Sequence, residues 1–226
     1  MFFRLIDIKK VYKNNKEDIV ALNGVTLDIN EGDYISFVGP SGAGKSTLLL
    51  ILAGLIRPTA GDIYFKSKKL TRLPEKEWTL LRKRYIGFIF QKKIVISHLT
   101  VKENILAPLV FIEEKEKKEE FIHYAEKLIE EYELKKYINF YPDNLSGGEL
   151  QKLLIVRALV TKPKILLADE PTGDLDNQSS KDIIKKLSSL NKKGLTIVMV
   201  THNQILAESS KSIYRINKGE IEKILK

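Results

Sequence analysis

Apolar and polar positions alternate from Phe2 to Ile8, the two-residue period of a half-buried strand. Val20 to Ile29 supplies a further pair of β segments, closed by the turn Asn30-Glu31-Gly32-Asp33. Between the two regions lies the polar stretch Lys9 to Lys13, read as a loop that carries Tyr12. The apolar runs within Tyr34 to Val38, Lys164 to Pro171 and Leu195 to Val200 predict strands covered on both faces, as in a parallel sheet. Gly61 to Phe65 and Ile86 to Phe90 predict two more strands, the latter ending on Gln91, with a short helix over Glu75 to Arg84 before it. From Thr100 to Leu159 the pattern turns helical, which predicts a helical satellite inserted between strands. The tail, Ile213 to Ile216 and Glu220 to Ile224, reads as a hairpin.

The first chemistry appears where a strand meets a helix. Tyr34 to Val38 runs into Gly39-Pro40-Ser41-Gly42-Ala43-Gly44-Lys45-Ser46-Thr47 and then into the apolar Leu48 to Leu52. A glycine-rich turn opening a helix leaves several backbone N–H groups pointing into one concavity, where no intrahelical partner exists for them. The spacing is that of a phosphate-binding loop: Lys45 reaches the terminal phosphates and Ser46 can ligate magnesium.

Two further sites fit that loop. The strand ending in Asp169-Glu170 brings two carboxylates to one place, a costly arrangement unless a cation shares it. Asp169 would hold magnesium directly or through water, leaving Glu170 to orient or deprotonate an attacking water. Ser146 is a good N-cap, and Gly147-Gly148 leave the N–H groups after it open, which makes a second anion site. His202, beyond the last core strand, can bridge a γ-phosphate to its surroundings, and Gln91 can reach the same sheet edge. His98 and His123 have no such context.

Composition narrows the setting. The 226 residues are 43% hydrophobic, enough for one large domain with a sizeable core. The absence of cysteine excludes a disulfide framework and any thiolate metal or redox site. The first residues read as a strand and not as a signal peptide, and no apolar run reaches the length of a bilayer span, so a membrane role would come through a partner. The net charge of +9 suggests acidic partners, but its lysines are interleaved with acids, which favours a solvated surface over a nucleic-acid groove. In the same way Glu113 to Glu120 reads as a solvated helix face, with Glu113 to Lys117 and Glu114 to Lys118 at pair spacing.

Leu145-Ser146-Gly147-Gly148-Glu149, placed after Gln91 and before Asp169-Glu170, Asp174-Leu175-Asp176 and His202, resembles the ATPase subunit of ABC transporters over the whole chain from Phe2 to about Ile224. The resemblance implies an α/β fold of the P-loop NTPase type: a RecA-like core with a mainly parallel sheet, an antiparallel β subdomain and an inserted α-helical subdomain. It implies one domain over 1–226, with core and β subdomain over about 1–94 and 160–226 and the helical part over about 95–159. Tyr12 would stack on adenine, and Gly39, Pro40, Ser41, Gly42, Ala43, Gly44, Lys45, Ser46 and Thr47 would hold the phosphates of ATP. Ser46, Gln91 and Asp169 would hold Mg2+, Glu170 would be the general base, and His202 would contact the γ-phosphate. Ser146, Gly147 and Gly148 would act on nucleotide bound to a second copy of the chain, with Asp176 near that interface.

Gly173, the Arg82-Lys83-Arg84 helix and the compact length resemble the lipoprotein-release, macrolide-export and cell-division branch, whose partners are membrane permeases. The implied setting is cytoplasmic, on the inner face of the membrane through such a partner, with no direct contact to nucleic acid. Lys92-Lys93 after Gln91, and Leu150 and Lys152 after the signature, depart from the family pattern. A soluble ABC-type ATPase for cofactor assembly and a non-transporting ATPase that drives an external enzyme are the alternatives.

Overall fold

The computed structural model describes residues 1–13, 17–173 and 175–224. Strands β1 (Phe3–Tyr12), β2 (Ile19–Ile29), β4 (Ala60–Phe65) and β5 (Lys68–Lys69) form an antiparallel sheet in the order β2-β1-β4-β5. Strands β3 (Tyr34–Val38), β6 (Ile86–Ile89), β7 (Ile165–Asp169), β8 (Thr196–Val200), β9 (Ser212–Asn217) and β10 (Glu220–Ile224) form a second sheet, ordered β10-β9-β3-β8-β7-β6. Every neighbouring pair in it is parallel except the β9-β10 hairpin. The carboxyl ends of β3, β6, β7 and β8 therefore lie along one edge, where ligands of such sheets bind.

Three local expectations change. The segment 20–29 is one strand and not a pair, because register shifts along β1 absorb its irregularity without breaking the ladder. Lys9 to Tyr12 is the end of β1 and not a loop: Tyr12 pairs with Ile19. The helix expected to include Glu113 and Glu114 begins after them, so Lys117 pairs with Glu114 at a spacing of three.

Among the described residues seven α-helices accompany the sheets: α1 (Lys45–Leu52), α2 (Glu75–Tyr85), α3 (Val101–Leu106), α4 (Lys115–Glu131), α5 (Gly147–Leu159), α6 (Asn177–Lys192) and α7 (Gln204–Glu208). They cover the six-stranded sheet on two faces. On one, Leu48, Leu49, Ile51 and Leu52 of α1 join the antiparallel sheet and the aromatic group Phe2, Phe3 and Phe65. Each of those α1 side chains is fully buried, worth about 1.5–3 kcal/mol apiece, so the helix that carries the phosphate loop is firmly seated. On the other face, α3, α4, α5 and α6 pack over Ile89, Leu166, Ala168, Ile197 and Met199. The helical stretch thus shares its core with the sheet it departs from.

Candidate functional site

The turn between β3 and α1 is shaped by what a side chain would strike. Gly39 has φ +149°, and a Cβ there would lie 2.1 Å from the Ile216 carbonyl oxygen. Gly44, the residue that caps α1, has φ +102°, and a Cβ there would lie 2.0 Å from the Ala21 oxygen. Both positions require glycine, and the loop is held between β9 on one side and β2 on the other. Lys45 is buried, and its ammonium donates to the carbonyls of Gly39 and Pro40 at 2.9 and 2.8 Å. Burial pushes its pKa down, while the charges of Glu170 and Asp169 oppose the shift. The lysine therefore spans the concavity that Ser41, Gly42 and Ala43 enclose.

Behind the loop, β7 delivers Asp169 and Glu170. Burial raises the Asp169 carboxyl above its ordinary range, while Ser46, Lys45 and His202 pull the other way. Its Oδ1 and the Oε1 of Glu170 are buried without a hydrogen-bond partner. Two partnerless carboxylate oxygens beside Ser46 of the phosphate loop are a donor set that a divalent cation fits. Glu170 has φ +51°, a strained conformation for a residue with a Cβ, and its N–H donates to Val200. The backbone thus turns sharply off the strand and aims the carboxylate along the sheet edge.

His202, after β8, meets it there. Its backbone N–H donates to Glu170 Oε2 at 3.2 Å, and its Nε2 lies 3.4 Å from Oε1, near enough for attraction but without hydrogen-bond geometry. Gln91, Glu170 and His202 share the wall of one polar cavity of about 340 Å³, together with Lys93, Gln151 and Asn203. Three sequence segments far apart in the chain therefore meet at one cavity. Gln151 had given no functional signal; an amide two positions before the apolar run that starts at Leu153 was the available clue, and the structure buries it.

Tyr12, at the tip of β1, is 40% exposed and its hydroxyl lies 3.5 Å from Thr47 Oγ1. Lys10 sits 5.0 Å from the ring centroid on one face. The aromatic is thus tethered beside the phosphate loop.

Ser146 opens α5 with a capping box. Its hydroxyl accepts from Glu149 N–H, and Glu149 Oε2 accepts from Ser146 N–H at 2.8 Å. Burial works against ionisation of Glu149, yet hydrogen bonds from Tyr137 and Ser146 outweigh it and leave the carboxyl below its usual range. A negative charge therefore already sits at this helix start, a feature the expectation of a simple anion site did not include. Ser146 and Gly147 are exposed, and the turn faces outward. Asp176 caps α6: the Ser179 hydroxyl donates to its Oδ2 at 2.5 Å and the N–H groups of Ser179 and Gln178 to its Oδ1 at 2.9 and 2.8 Å, and these bonds, the hydroxyl's first, lower its pKa. Asp174, beside it in the expected motif, lies outside the described residues.

A larger cavity, about 680 Å³, lies elsewhere among the described residues. It is a groove between α2, the edge strand β6 and the 3-10 turn Ala107–Phe111, and its wall includes Leu80, Phe88, Val110, Phe111, Arg82 and Arg157. Val110 and Phe111 are about 70% exposed, a pair of large apolar groups facing solvent at its rim.

Parallel strands that bring a phosphate loop, two acids and a histidine to one edge define a nucleotide hydrolase of the P-loop class. Comparison with known proteins narrows it. The family model described as ABC transporter matches residues 22–173, and the chain belongs to that family. It is similar to the uncharacterized ABC transporter ATP-binding protein MJ1508 of Methanocaldococcus jannaschii, with 41% identity across 97% of both chains. The lipoprotein-releasing system ATP-binding protein LolD of Wigglesworthia glossinidia brevipalpis is 40% identical, over 96% of this chain and 94% of its own. The macrolide export ATP-binding/permease protein MacB of Rhodopirellula baltica is 36% identical over 96% of this chain, which spans 32% of that longer protein. Among solved structures, the dimeric post-hydrolysis state of the ATP-binding cassette MJ0796, bound to ADP and Pi, superposes with a TM-score of 0.88 at 38% identity, over 98% of both chains. The chain is accordingly an ATP-binding ATPase of the ABC transporter family, with the P-loop fold the sequence implied.

Proposed function

We propose that two copies of the chain enclose two ATP molecules with Mg2+ and use their hydrolysis to drive a separate membrane permease, in export or extraction. The observation that carries this reading is the outward-facing Ser146-Gly147-Gly148 turn, on a chain whose phosphate loop is held open between β2 and β9. A phosphate cradle on one copy and an exposed glycine turn on the other are complementary halves of one site. The relative solved as a dimer supports it.

In this reading Tyr12 stacks on adenine, and residues Gly39 to Thr47 enclose the phosphates. Lys45 exchanges its hold on the Gly39 and Pro40 carbonyls for phosphate oxygens. Ser46, Asp169 and Gln91 hold Mg2+, which when bound supplies charge neutralisation across the transferring phosphoryl group. Glu170 takes the proton of the attacking water; the bond from the γ-phosphorus to its bridging oxygen breaks, and the electron pair leaves with ADP. His202 contacts the γ-phosphate and fixes Glu170 through its backbone N–H. Asp176 holds the start of α6 near the facing copy.

The permease reading draws on the groove beside β6. Its exposed Val110 and Phe111 suit burial against another protein, and MacB joins an ATP-binding and a permease part in one name. No helix among the described residues is long and apolar enough to cross a membrane, so attachment to the inner face would come from that partner. We take 1–226 as one nucleotide-binding domain, with residues of about 95–159 as its helical part. Affinity purification from detergent-solubilised membranes tests the partner: a multi-span protein should accompany the chain, and its recovery should fall when Val110 and Phe111 are replaced by serine. Recovery of the chain alone from the membrane fraction would count against a permease.

A further inference from the structure

The cavity of about 340 Å³ is a space of its own. No residue of the phosphate loop, Gly39 to Thr47, lines it, and of the hydrolytic set it shares only Gln91, Glu170 and His202. The rest of its lining includes residues of α5, α6 and the turn between β7 and α6. It therefore lies next to the phosphate cradle and is not part of it.

Two buried polar side chains face this space with nothing to bond. Gln151 and Thr172 are each 4% exposed, yet neither makes a side-chain hydrogen bond among the described residues. The buried oxygens shut away without a partner belong to Ser36, Tyr132, Asp169 and Glu170, so the Gln151 amide and the Thr172 hydroxyl still reach open volume. An unpaired buried amide costs about 1–3 kcal/mol, a penalty removed by whatever occupies the cavity. Asn203 lines it too; its side-chain oxygen accepts from Leu206 N–H at 3.1 Å, which leaves its NH2 group as a further donor.

Lys93 adds charge. It stands at the centre of a three-residue turn in which Ile94 N–H donates to the Lys92 carbonyl at 2.8 Å, and Arg157 donates to the Ile94 carbonyl at 2.5 Å. An ammonium lining the same cavity as Glu170 offsets that carboxylate and turns a donor-rich space toward anions. Glu170 is the one lining carboxylate among the described residues, too little for a divalent cation. The volume is ample for a tetrahedral oxyanion, which takes a few times the ~30 Å³ of a water molecule.

We infer that this cavity is a second oxyanion site, which takes inorganic phosphate after cleavage and holds it on Lys93, Gln151, Thr172 and Asn203 while ADP stays on the phosphate loop. The inference rests on the reading of Glu170 and His202 as the wall against the γ-phosphate. Phosphate then moves sideways past that wall, without waiting for ADP to leave. Lys93, where the chain departs from the family pattern, gives the site its positive charge.

The test uses inorganic phosphate as the probe and the full chain saturated with the magnesium complex of AMP-PNP, whose γ-phosphate fills the cradle. The 31P line of phosphate should broaden on adding this complex. In Lys93→Met its affinity should fall about tenfold, the effect of one lost charge-assisted hydrogen bond, while Lys93→Arg should stay within about threefold of the native chain. Gln151→Leu should also weaken it, with an unchanged melting temperature. Broadening with ADP but none with AMP-PNP would place phosphate in the cradle and overturn the inference, as would equal affinity in the native chain and Lys93→Met.

Product inhibition of steady-state hydrolysis is the second measurement. The inhibition constant for phosphate should rise about tenfold in Lys93→Met, whereas that for ADP should move less than about twofold, since ADP is held by the loop. Equal changes for both products, or a native chain that phosphate does not inhibit, overturn the inference and leave the roles of Glu170 and His202 standing. Ordinary turnover in Glu170→Gln removes the reading of that wall, and the inference with it.

Discussion

The backbone N–H of His202 donates to Glu170 Oε2 while its imidazole Nε2 lies 3.4 Å from Oε1, so one residue addresses both oxygens of one carboxylate. That contact fixes the carboxylate without neutralising it, and Oε1 keeps an unused lone pair. A group placed to accept a proton needs this combination of fixed direction and free acceptor.

Glu170→Gln preserves shape and removes the acceptor. We expect nucleotide binding to persist, turnover to fall by at least about a hundredfold, and an ATP-bound dimer to accumulate. Size-exclusion chromatography with and without ATP, beside a phosphate-release assay, reads both effects. Ordinary turnover would remove Glu170 from the role of base.

Asp169 makes the opposite case, a charge the fold holds at a cost. Burial raises its pKa above the ordinary value of about 4. The folded chain therefore binds more protons than the unfolded one between that value and the raised one. The carboxyl is harmless to stability below this window and destabilises progressively as pH rises through it. Without magnesium, Asp169→Asn should melt higher than the native chain, by about 2–4 °C at neutral pH, and the gap should close as pH falls through the window. Magnesium with ATP should reverse the order, since only the native chain offers the ion its carboxylate. Thermal melts across pH with and without the ion are the check; a variant that melts lower at every pH would contradict it.

Tyr12 touches Thr47 only through a long hydroxyl contact at 3.5 Å, which leaves the ring as its useful part. Tyr12→Ala should raise KM for ATP about tenfold, in line with roughly 1–3 kcal/mol for stacking on a base, while Tyr12→Phe should stay near the native value. Equal loss in both variants would point to the hydroxyl instead.

The exposed Ser146 turn offers a way to separate binding from assembly. Ser146→Arg places a long cation where a facing chain should approach, so ATP-driven dimerisation and turnover should both be lost, whereas binding of a fluorescent ATP analogue to the single chain should change less than about threefold, because the phosphate loop is untouched. The +9 balance adds a salt dependence: like-charged copies should associate better with ATP than without, and more so at low ionic strength. Dimerisation indifferent to both nucleotide and salt would contradict this.

Much of this was legible in the chain itself. The phosphate loop, the strand-end acids and the capped Ser146 turn are local objects, specified by neighbours in sequence through backbone conformation and hydrogen bonding over three or four residues. The buried parallel strands were equally legible, because strands covered on both faces carry continuous apolar runs. Tyr12 was misread as a loop residue since the alternation of buried positions that marks the start of β1 fades over Lys9 to Tyr12, and only pairing with Ile19 decides the matter.

What sequence could not supply is everything that depends on distance between remote segments. It did not reveal that a carbonyl of the Gln91 loop is held from α5, or that Gly39 and Gly44 lie against Ile216 and Ala21. Nor did it show that Glu149 already charges the helix start it opens. Local motifs are encoded by short-range sterics and hydrogen bonding; their relative placement is set by how the sheets and helices pack, a property of the whole chain that no single stretch carries.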